Sequence, residues 1–344
     1  MALDNPESHP ANELLILGAA DIEAALGGRE LEVIDTVRRA YEAHAMGLSS
    51  LPHSLFLRFP NNDSDRIIAL PAYLGDGFEI AGLKWIASMP GNVARGVDRA
   101  SAVVIINDRT TGRPRAILEG SIISARRTAA SAALAGRTLH GETAPATIGV
   151  VGCGPIAFEI VRSLRAVWPV ASRFLVFDLN AARAAEFCGR CEALHAGARF
   201  EVAGSMADLL AASPVVAFAT TAGTPHLSDL SMCPRGATIL HISLRDLAPE
   251  VILAADNVVD DADHVCRAST SIHLAEQKVG HRDFIRCALA DITAGRQPAR
   301  VDRERPAIFS PFGLGVLDLA LAQMVLNDAA RSGGGVRISG FLPS

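Results

Sequence analysis

Apolar and polar positions follow two different patterns in this chain, and the pattern changes at Pro145. Before Pro145, turns rich in Gly, Pro, Asn and Asp separate short strand-like runs, which read SLFLRF, DRIIALPAYL, EIAGLKWIAS, ASAVVIIND and RPRAILEG. Residues 107–114 have the composition of a hairpin connection. Helices are predicted at 21–47 and 121–139. The first half is therefore predicted to be a mostly antiparallel sheet with two helices.

After Pro145, buried strands alternate with helices. ATIGVVG is a continuous apolar strand, and a helix is predicted from Pro155 to about Val167 because proline is well tolerated at a helix start. Helices at 181–195 and at MADLLAA then separate the strands RFLVFD, ARFEVA, PVVAFATT, GATILHIS and DNVVDD. This alternation predicts a parallel sheet covered on both faces. A last apolar helix, at about 314–330, is expected to be buried and to pack back on the first half.

These patterns predict an α/β protein with two domains. We assign residues 141–309 to a Rossmann dinucleotide-binding domain, and residues 1–140 with 310–344 to an α+β substrate-binding and dimerisation domain. Residues 1–12 are expected to form a mobile tail.

Composition narrows the classes of function. The net charge of −5 and the aromatic content of 5% argue against a nucleic-acid binder. Neither a secretory signal nor an apolar run of membrane-spanning length is recognisable, so a cytoplasmic protein is expected. Cys188 and Cys191 form a CxxC pair without a matching second pair, which favours helix packing over a metal or redox role. We predict no metal site.

The segment IGVVGCGPIAFEIV carries the pattern G-x-G-x-x-A between a strand and a helix. This is the context that a dinucleotide site requires. Gly152 permits the tight turn, Gly154 lets the backbone approach a pyrophosphate, and Ala157 allows close packing of helix and strand. With Pro155 and Ile156 these residues begin a helix whose free N–H groups attract phosphates. The alternative is a glycine turn in an α/β fold that binds no nucleotide.

Asp178 ends the next strand, where an acid is expected to bind the adenosine ribose and to favour NAD over NADP. The alternative role for Asp178 is a helix cap. Thr220 and Thr221 follow the strand PVVAFATT and are expected near the nicotinamide, unless turn backbone satisfies their hydroxyls. We assign Ser310 to the cofactor site as well.

Three further residues are candidates for chemistry. Lys84 interrupts an apolar strand, so its ammonium must find a carboxylate or reach water. Arg127 lies in a helix of small residues and is suited to bind a carboxylate in a planar fork, while its neighbour Arg126 points elsewhere. Asp246 follows a buried strand near the expected crevice, where the alternative role is a loop cap.

Together, the segments KWIASMP, DRASAV, GRPRAILEG, ARRTAAS and the glycine-rich turn resemble the ornithine cyclodeaminase/μ-crystallin family over about residues 40–330. Several segments look like the branch of N-(2-amino-2-carboxyethyl)-L-glutamate dehydrogenases, which make L-2,3-diaminopropionate for siderophore or peptide-antibiotic pathways. They are FLRFPNNDSDRIIALPAYLG, LKWIASMPGNVARGVDRASAV, LEGSIISARRTAASAAL and SPFGLGVLDLALA.

The resemblance implies a homodimer that uses NAD, with a role for each matching residue. Lys84 and Arg127 match the residues that bind the substrate carboxylate, and Arg58 matches a further carboxylate arginine. The lysine that Lys84 matches also lies near the reacting carbon, so Lys84 is expected to be catalytic as well. Asp246 matches the catalytic acid, which is expected to act as a general base. Asp178 matches the ribose-binding acid.

The loop around Asp246 departs from ornithine cyclodeaminases, which carry Gly-Gly-Asp-x-Pro-Gly where this chain has SLRDLAP. Arg245 adds a positive charge there and favours a substrate with extra carboxylates. The implied reaction removes a hydride from the glutamate α-carbon of the secondary amine. Water adds to the resulting imine, and its collapse releases L-2,3-diaminopropionate and 2-oxoglutarate.

Two kinds of alternative remain open at this point. One is another reaction of the same family, such as cyclodeamination, alanine dehydrogenation or imine reduction. The other is a non-catalytic NAD(P)-binding protein of the crystallin type. The sequence leaves open the pathway, the tolerance of NADP and which cation binds the distal carboxylates.

Overall fold

A computed structural model describes residues 12–343 of the protein. The chain divides into two compact units, and each is described here by itself. The first unit takes in the described residues of Met1–Gly28, Gly47–Ser124 and Gly315–Ser344, and the second takes in Arg29–Met46 and Ala125–Leu314. The predicted mobile tail, residues 1–12, lies outside the described residues except for Asn12.

The first unit is built on one sheet. Its strands are β1 (Glu13–Leu17), β2 (Ser49–Ser50), β3 (Leu55–Phe59), β4 (Asn62–Leu74), β5 (Ile80–Ser88), β6 (Ala100–Asn107), β7 (Pro114–Glu119) and β16 (Val336–Ser339). The strand order is β16-β1-β7-β6-β5-β4-β2, with β3 paired to β4. β1 and β7 run parallel, and the other described pairs run antiparallel. The predicted hairpin joins β6 to β7, where the Asp108 N–H donates to the Arg113 carbonyl at 2.8 Å.

Two helices of the first unit are α1 (Ala19–Leu26) and α11 (Gly315–Ser332), and a 3-10 turn covers Pro90–Arg95. Helix α11 packs on β4, β5 and β6, and α1 packs on α11. Gly315 begins α11 so close to β4 that an added Cβ would lie 3.1 Å from the Leu70 carbonyl oxygen. The glycine therefore permits a close approach of helix to strand.

The two faces of this sheet differ in exposure. Lys84 of β5 stands in register with the buried Leu70 and Val104, on the face that α11 covers. The opposite face exposes an unusual number of large apolar side chains. This apolar sheet face consists of Leu55, Leu57, Phe59, Trp85 and Val103. Alternation along β5 puts Lys84 and Trp85 on opposite faces.

The second unit has an eight-stranded parallel sheet. Its strands are β8 (Ile148–Val151), β9 (Arg173–Phe177), β10 (Arg199–Val202), β11 (Val215–Phe218), β12 (Thr238–His241), β13 (Asp256–Val259), β14 (Ile285–Ala288) and β15 (Ala307–Ser310). The order is β10-β9-β8-β11-β12-β15-β13-β14. The order reverses between β8 and β11, and in such sheets ligands bind at the carboxyl ends of the strands at this switch point.

The helices between and around these strands complete the second unit. They are α2 (Glu30–Ala45), α3 (Ser121–His140, which the division cuts after Ser124), α4 (Pro155–Val167), α5 (Ala181–Leu194), α6 (Met206–Ala212), α7 (Pro249–Ala254), α8 (Ala262–Val265), α9 (Ser271–Val279) and α10 (Leu289–Thr293). In the described part of the chain, no helix has both the length and the apolar character needed to cross a membrane.

One helix prediction is wrong. Residues 21–47 form two helices, α1 and α2, because Gly27 and Gly28 interrupt the helical backbone. Gly28 has φ of +72°, a left-handed conformation that glycine adopts readily and that ends helices. The other predicted helices agree to within a few residues, including the last one, which is buried as expected.

Candidate active site

The glycine-rich turn lies where β8 and β11 end side by side. Gly152 has φ of +92°, and an added Cβ would stand 2.6 Å from the Ala219 carbonyl oxygen, so only glycine fits. Gly154 precedes α4 without a side-chain cap, and an added Cβ there would meet nothing within 4 Å. The turn therefore leaves open space in front of the helix N-terminus, as a pyrophosphate requires.

The neighbours of this turn have different exposures. Ala157 is fully buried, which permits the close packing of α4, while Pro155 is exposed and Ile156 is half-buried. Asp178 directly follows β9, and its carboxylate accepts hydrogen bonds from the N–H groups of Cys153 at 3.0 Å and Asn180 at 2.9 Å. The acid thus lies against the glycine-rich turn. The residues present fit a dinucleotide with its pyrophosphate at α4.

Asp246 is the centre of a second group of polar residues. Its carboxylate is fully buried and accepts hydrogen bonds from the hydroxyls of Thr220, at 2.5 Å, and Ser243. His226 Nε2 lies 3.0 Å from the same carboxylate, and its side chain is 39% exposed. His226 therefore connects a buried anion to the solvent side. Sequence reasoning missed it because the two residues meet only through the fold.

Hydrogen bonds hold the Asp246 carboxylate in its ionised form. Burial raises the pKa of Asp246, but His241, Ser243 and Thr220 outweigh burial and lower the pKa to about 2. His241 Nε2 lies 3.2 Å from the Asp246 backbone nitrogen and 3.5 Å from the Asp246 carboxylate, and His241 Nδ1 lies 3.1 Å from Ser310 Oγ. A carboxylate with so low a pKa orients a neighbouring group better than it stores a proton at neutral pH.

The remaining cofactor-site predictions differ in what surrounds them. Ser310, at the end of β15, is buried beside His241 rather than open to solvent. Thr220 bonds both Asp246 and the Ala222 N–H, so its hydroxyl serves the carboxylate and the turn. Thr221 is exposed. Their roles toward NAD stay predictions.

In the first unit, Lys84 finds a carboxylate that sequence analysis did not identify. Its side chain is 2% exposed, and its ammonium lies 2.7 Å from the carboxylate of Asp318 of α11, which is fully buried. Lys84 Nζ also donates to Ser124 Oγ at 3.1 Å. An isolated buried charge is very costly, so this partner is what permits a lysine in an apolar strand. The signal for it was an aspartate inside the apolar run LGVLDLALA.

Arg127 and Arg126 are both buried in α3, in different surroundings. Arg126 pairs with Glu159 at 2.9 Å and Glu30 at 3.4 Å. Arg127 lies against Gly313, where an added Cβ would be 2.7 Å from Nη1. The role of Arg127 toward a carboxylate stays a prediction.

The other two predicted cations are placed at the surface or at a loop. Arg58, on β3, is exposed, and its guanidinium lies 5.6 Å from the centre of the Phe56 ring. Arg245 donates to the carbonyl oxygens of Ala268 and Ser269, two residues with positive φ. Arg245 therefore braces the loop that follows α8, in addition to any role with substrate.

The surroundings of Cys188 and Cys191 do not favour a redox or metal-binding role. Cys188 and Cys191 are buried in α5, and burial raises their thiol pKa values to about 11 and about 12. Thiols with such pKa values are weak nucleophiles and weak metal ligands at neutral pH. Within residues 12–343, His, Cys, Asp and Glu side chains form no group of three arranged to hold a metal.

A parallel sheet with a glycine-rich turn at its switch point defines a dinucleotide-binding protein. The chain belongs to the ornithine cyclodeaminase/mu-crystallin family, whose model matches residues 13–333. The family prediction and the predicted α/β fold class are both confirmed.

Relatives align along almost their whole length. N-((2S)-2-amino-2-carboxyethyl)-L-glutamate dehydrogenase of Staphylococcus aureus is 29% identical, over 95% of this chain and 98% of its own. Alanine dehydrogenase of Archaeoglobus fulgidus is 27% identical, over 96% of this chain and 99% of its own. The structure of Thermococcus litoralis Δ1-pyrroline-2-carboxylate reductase with NADH and L-proline superimposes with a TM-score of 0.86 at 25% identity. The superposition covers 94% of this chain and 100% of the reductase.

We predict that Asp318→Asn destabilises the protein strongly. The substitution leaves the Lys84 ammonium buried without its anion, a loss of about 3–5 kcal/mol in the free energy of unfolding. Denaturant unfolding monitored by circular dichroism measures it. The control is the double variant Lys84→Met with Asp318→Leu, which removes both charges and is expected to lose less. Equal losses in the two proteins would show that the ion pair does not determine the stability.

We also predict a pH dependence for Asp246→Asn. The pKa of Asp246 is about 2 in the folded state and 3.8 as the ordinary value. Its ionisation therefore stabilises the fold above about pH 4, and this contribution disappears as pH falls towards about 2. The difference in unfolding free energy between wild type and Asp246→Asn should narrow over that window. Asp302→Asn, at an exposed position, is the control; a constant difference contradicts the assignment.

Proposed function

We propose that this protein is an NAD-dependent dehydrogenase that oxidises and hydrolyses N-(2-amino-2-carboxyethyl)-L-glutamate to L-2,3-diaminopropionate and 2-oxoglutarate. The observation that carries the proposal is the near full-length similarity to the S. aureus enzyme. The protein is an enzyme of the nicotinamide-dependent dehydrogenase and reductase type that acts on amino-acid-like compounds.

The cofactor is NAD, as in relatives whose structures hold NAD or NADH. Gly152, Gly154 and the start of α4 are the residues that hold its pyrophosphate in this proposal, and Asp178 receives the ribose hydroxyls. The Asp178 carboxylate disfavours NADP because it repels a 2′-phosphate. When bound, NAD accepts the hydride that leaves the substrate α-carbon.

The substrate's amino-acid carboxylate is assigned to Lys84 and Arg127. The Lys84 ammonium is fixed in direction by Asp318 and Ser124, so little side-chain freedom is lost when a carboxylate binds. Arg127 adds a planar fork of donors. Holding the carboxylate from two cations orients the α-carbon, and orientation of this kind can supply ~7–11 kcal/mol in ideal cases.

Proton transfer is assigned to His226 with Asp246. The oxidised substrate carries a C=N bond, and hydrolysis requires that a proton leave the attacking water and another reach the amine nitrogen. His226 is partly exposed and its imidazole can both accept and donate a proton, while Asp246 is buried and held anionic. Asp246 therefore positions the His226 ring and balances its charge, as in other Asp–His pairs. Thr220 and Ser243 fix the carboxylate in turn.

A second candidate is the reduction of a cyclic imine to an amino acid. The T. litoralis reductase, with its TM-score of 0.86, favours it. The same residues serve either reaction, since both hold an amino-acid carboxylate and exchange a hydride at the α-carbon. The loop SLRDLAP, with Arg245 next to Asp246, favours the substrate that has more carboxylates.

The activity itself is the first test. With NAD⁺ and N-(2-amino-2-carboxyethyl)-L-glutamate, the purified protein should produce NADH absorbance and an equal amount of 2-oxoglutarate. Asp246→Asn should lower kcat by about 10²–10⁴-fold, and Asp302→Asn should not change it. Ammonia release from L-ornithine without net NADH would identify a cyclodeaminase instead. NADH consumption with Δ1-pyrroline-2-carboxylate alone would identify the reductase.

We also propose that two copies of the chain associate through the apolar sheet face. Its large side chains are unusually exposed for a single chain, with Leu55 at 69% and Trp85 at 38%. Contiguous exposed apolar surface of this kind marks protein–protein contacts. Such an interface is the same patch on both copies and gives a closed dimer.

We predict that Trp85→Glu converts the dimer into monomers, because a carboxylate in the middle of an apolar interface loses its hydration without a partner. Sedimentation velocity measures the change in mass. Val170→Glu, at an apolar position of the second unit that is 79% exposed, should leave the dimer intact. A wild-type monomer, or a dimer that persists in Trp85→Glu, contradicts the assignment.

A further inference from the structure

Three arginines gather at one end of the sheet in the first unit, around Ser88. Arg66 of β4 is in register with Arg58 of β3 on one side and with Ser88 of β5 on the other. Directly opposed residues project from the same face of a sheet. Arg99, just before β6, donates from Nη1 to Ser88 Oγ at 2.7 Å. The strand pairing therefore brings three guanidinium groups to one place.

These charges have no anionic partner among the side chains that the structure describes. Arg58 is exposed, whereas Arg66 and Arg99 are half-buried. Burial lowers the pKa of Arg66, and the charge of Arg58 lowers it further. Burial likewise lowers the pKa of Arg99, with a contribution from Arg66. Half-buried guanidinium groups that repel one another are normally balanced by a carboxylate or phosphate.

The arginine cluster lies on the same face of the sheet as Lys84. Alternate residues of a strand share a face, so Lys84 and Ser88 of β5 project to the same side. With a rise of ~3.3 Å per residue, their Cα atoms lie about 13 Å apart. Long arginine side chains can shorten that separation at their tips. Lys84 and the arginines around Ser88 are thus placed to contact two different acid groups of one molecule.

We propose that Arg66 and Arg99, joined through Ser88, form a subsite for a second substrate carboxylate, remote from the one assigned to Lys84. The inference rests on the proposed function and deepens it: the substrates are amino acids with at least two carboxylates. Arg58 stands at the exposed rim of the subsite. Arg99 is held by Ser88 before the ligand arrives, which reduces the entropy lost on binding.

The test compares two oxo acids that differ in one carboxylate. Binding of 2-oxoglutarate and of 2-oxobutyrate to the NADH-loaded enzyme is measured by the quenching of NADH fluorescence. Arg66→Gln or Arg99→Gln should weaken the binding of 2-oxoglutarate by roughly tenfold or more, because a charge-assisted hydrogen bond is lost. Binding of 2-oxobutyrate should not change. Arg337→Gln, exposed on β16, removes the same charge elsewhere in the unit and is the control.

The outcomes separate the subsite from the proposed reaction. The subsite is overturned if the arginine variants bind both oxo acids equally more weakly, or if the affinity for neither oxo acid changes. It is also overturned if the wild type does not bind 2-oxoglutarate more tightly than 2-oxobutyrate. NADH formation from N-(2-amino-2-carboxyethyl)-L-glutamate with an unchanged KM in both variants would keep the reaction and reject the subsite. An arginine-dependent preference for 2-oxoglutarate without turnover of N-(2-amino-2-carboxyethyl)-L-glutamate would keep the subsite and reject the reaction. Thermal midpoints near that of the wild type verify that the variants fold.

Discussion

The buried charge of Lys84 is the constraint on which the first unit depends. An ammonium ion in the middle of a sheet is tolerated only if a carboxylate reaches it inside the apolar layer. Asp318 does so from α11, and the helix approaches closely enough because Gly315 lacks a side chain at its start. The sheet and the last helix must therefore form together, although a whole dinucleotide unit separates them in the sequence. A purely structural lysine would be replaced more favourably by an apolar residue, which is why we assign it a binding role.

The second unit buries an anion, whereas the first unit buries a cation. Asp246 is an anion in an apolar setting, and hydroxyls and histidines supply the donors that water would otherwise supply. The same donors that stabilise it make it a poor proton store, because its pKa falls to about 2. The partly exposed His226 is therefore the residue to which we assign proton transfer. In this proposal, the hydrogen bonds that stabilise the buried Asp246 carboxylate also fix its orientation toward His226.

The sequence predicted the parts of this protein in which local signals agree. Strand, glycine turn and helix succeed one another around Gly152, so the dinucleotide unit was visible from its pattern. The helix over 21–47 was wrong because apolar periodicity continued across Gly27–Gly28, where backbone conformation decides the outcome. The four-residue strands β14, β15 and β16 were not predicted, whereas β8, β11 and β12, which are equally short, lie inside the longer apolar runs ATIGVVG, PVVAFATT and GATILHIS.

Partnerships between distant residues were out of reach of the sequence for a different reason. Lys84 was recognised as unusual, but Asp318 is its partner only because α11 packs on β5. Arg66 and Arg99 lay in segments that already pointed to the family, yet their clustering depends on the register of β4 against β5. Register is a property of pairing, and a shift by one residue would reverse the face that each side chain occupies.

Charge balance gives a physical reason to expect acidic substrates. In a protein of net charge −5, most arginines can find carboxylates, and many here do. Folding alone does not favour three guanidinium groups close together in the first unit, since the like charges repel and lower the pKa values of Arg66 and Arg99 beyond the effect of burial. A bound carboxylate offsets that repulsion. The relief of the repulsion then contributes to the free energy of binding an acid. A family member that handles amino acids with one carboxylate has no need of such an arrangement, and specificity within one fold can arise in this way.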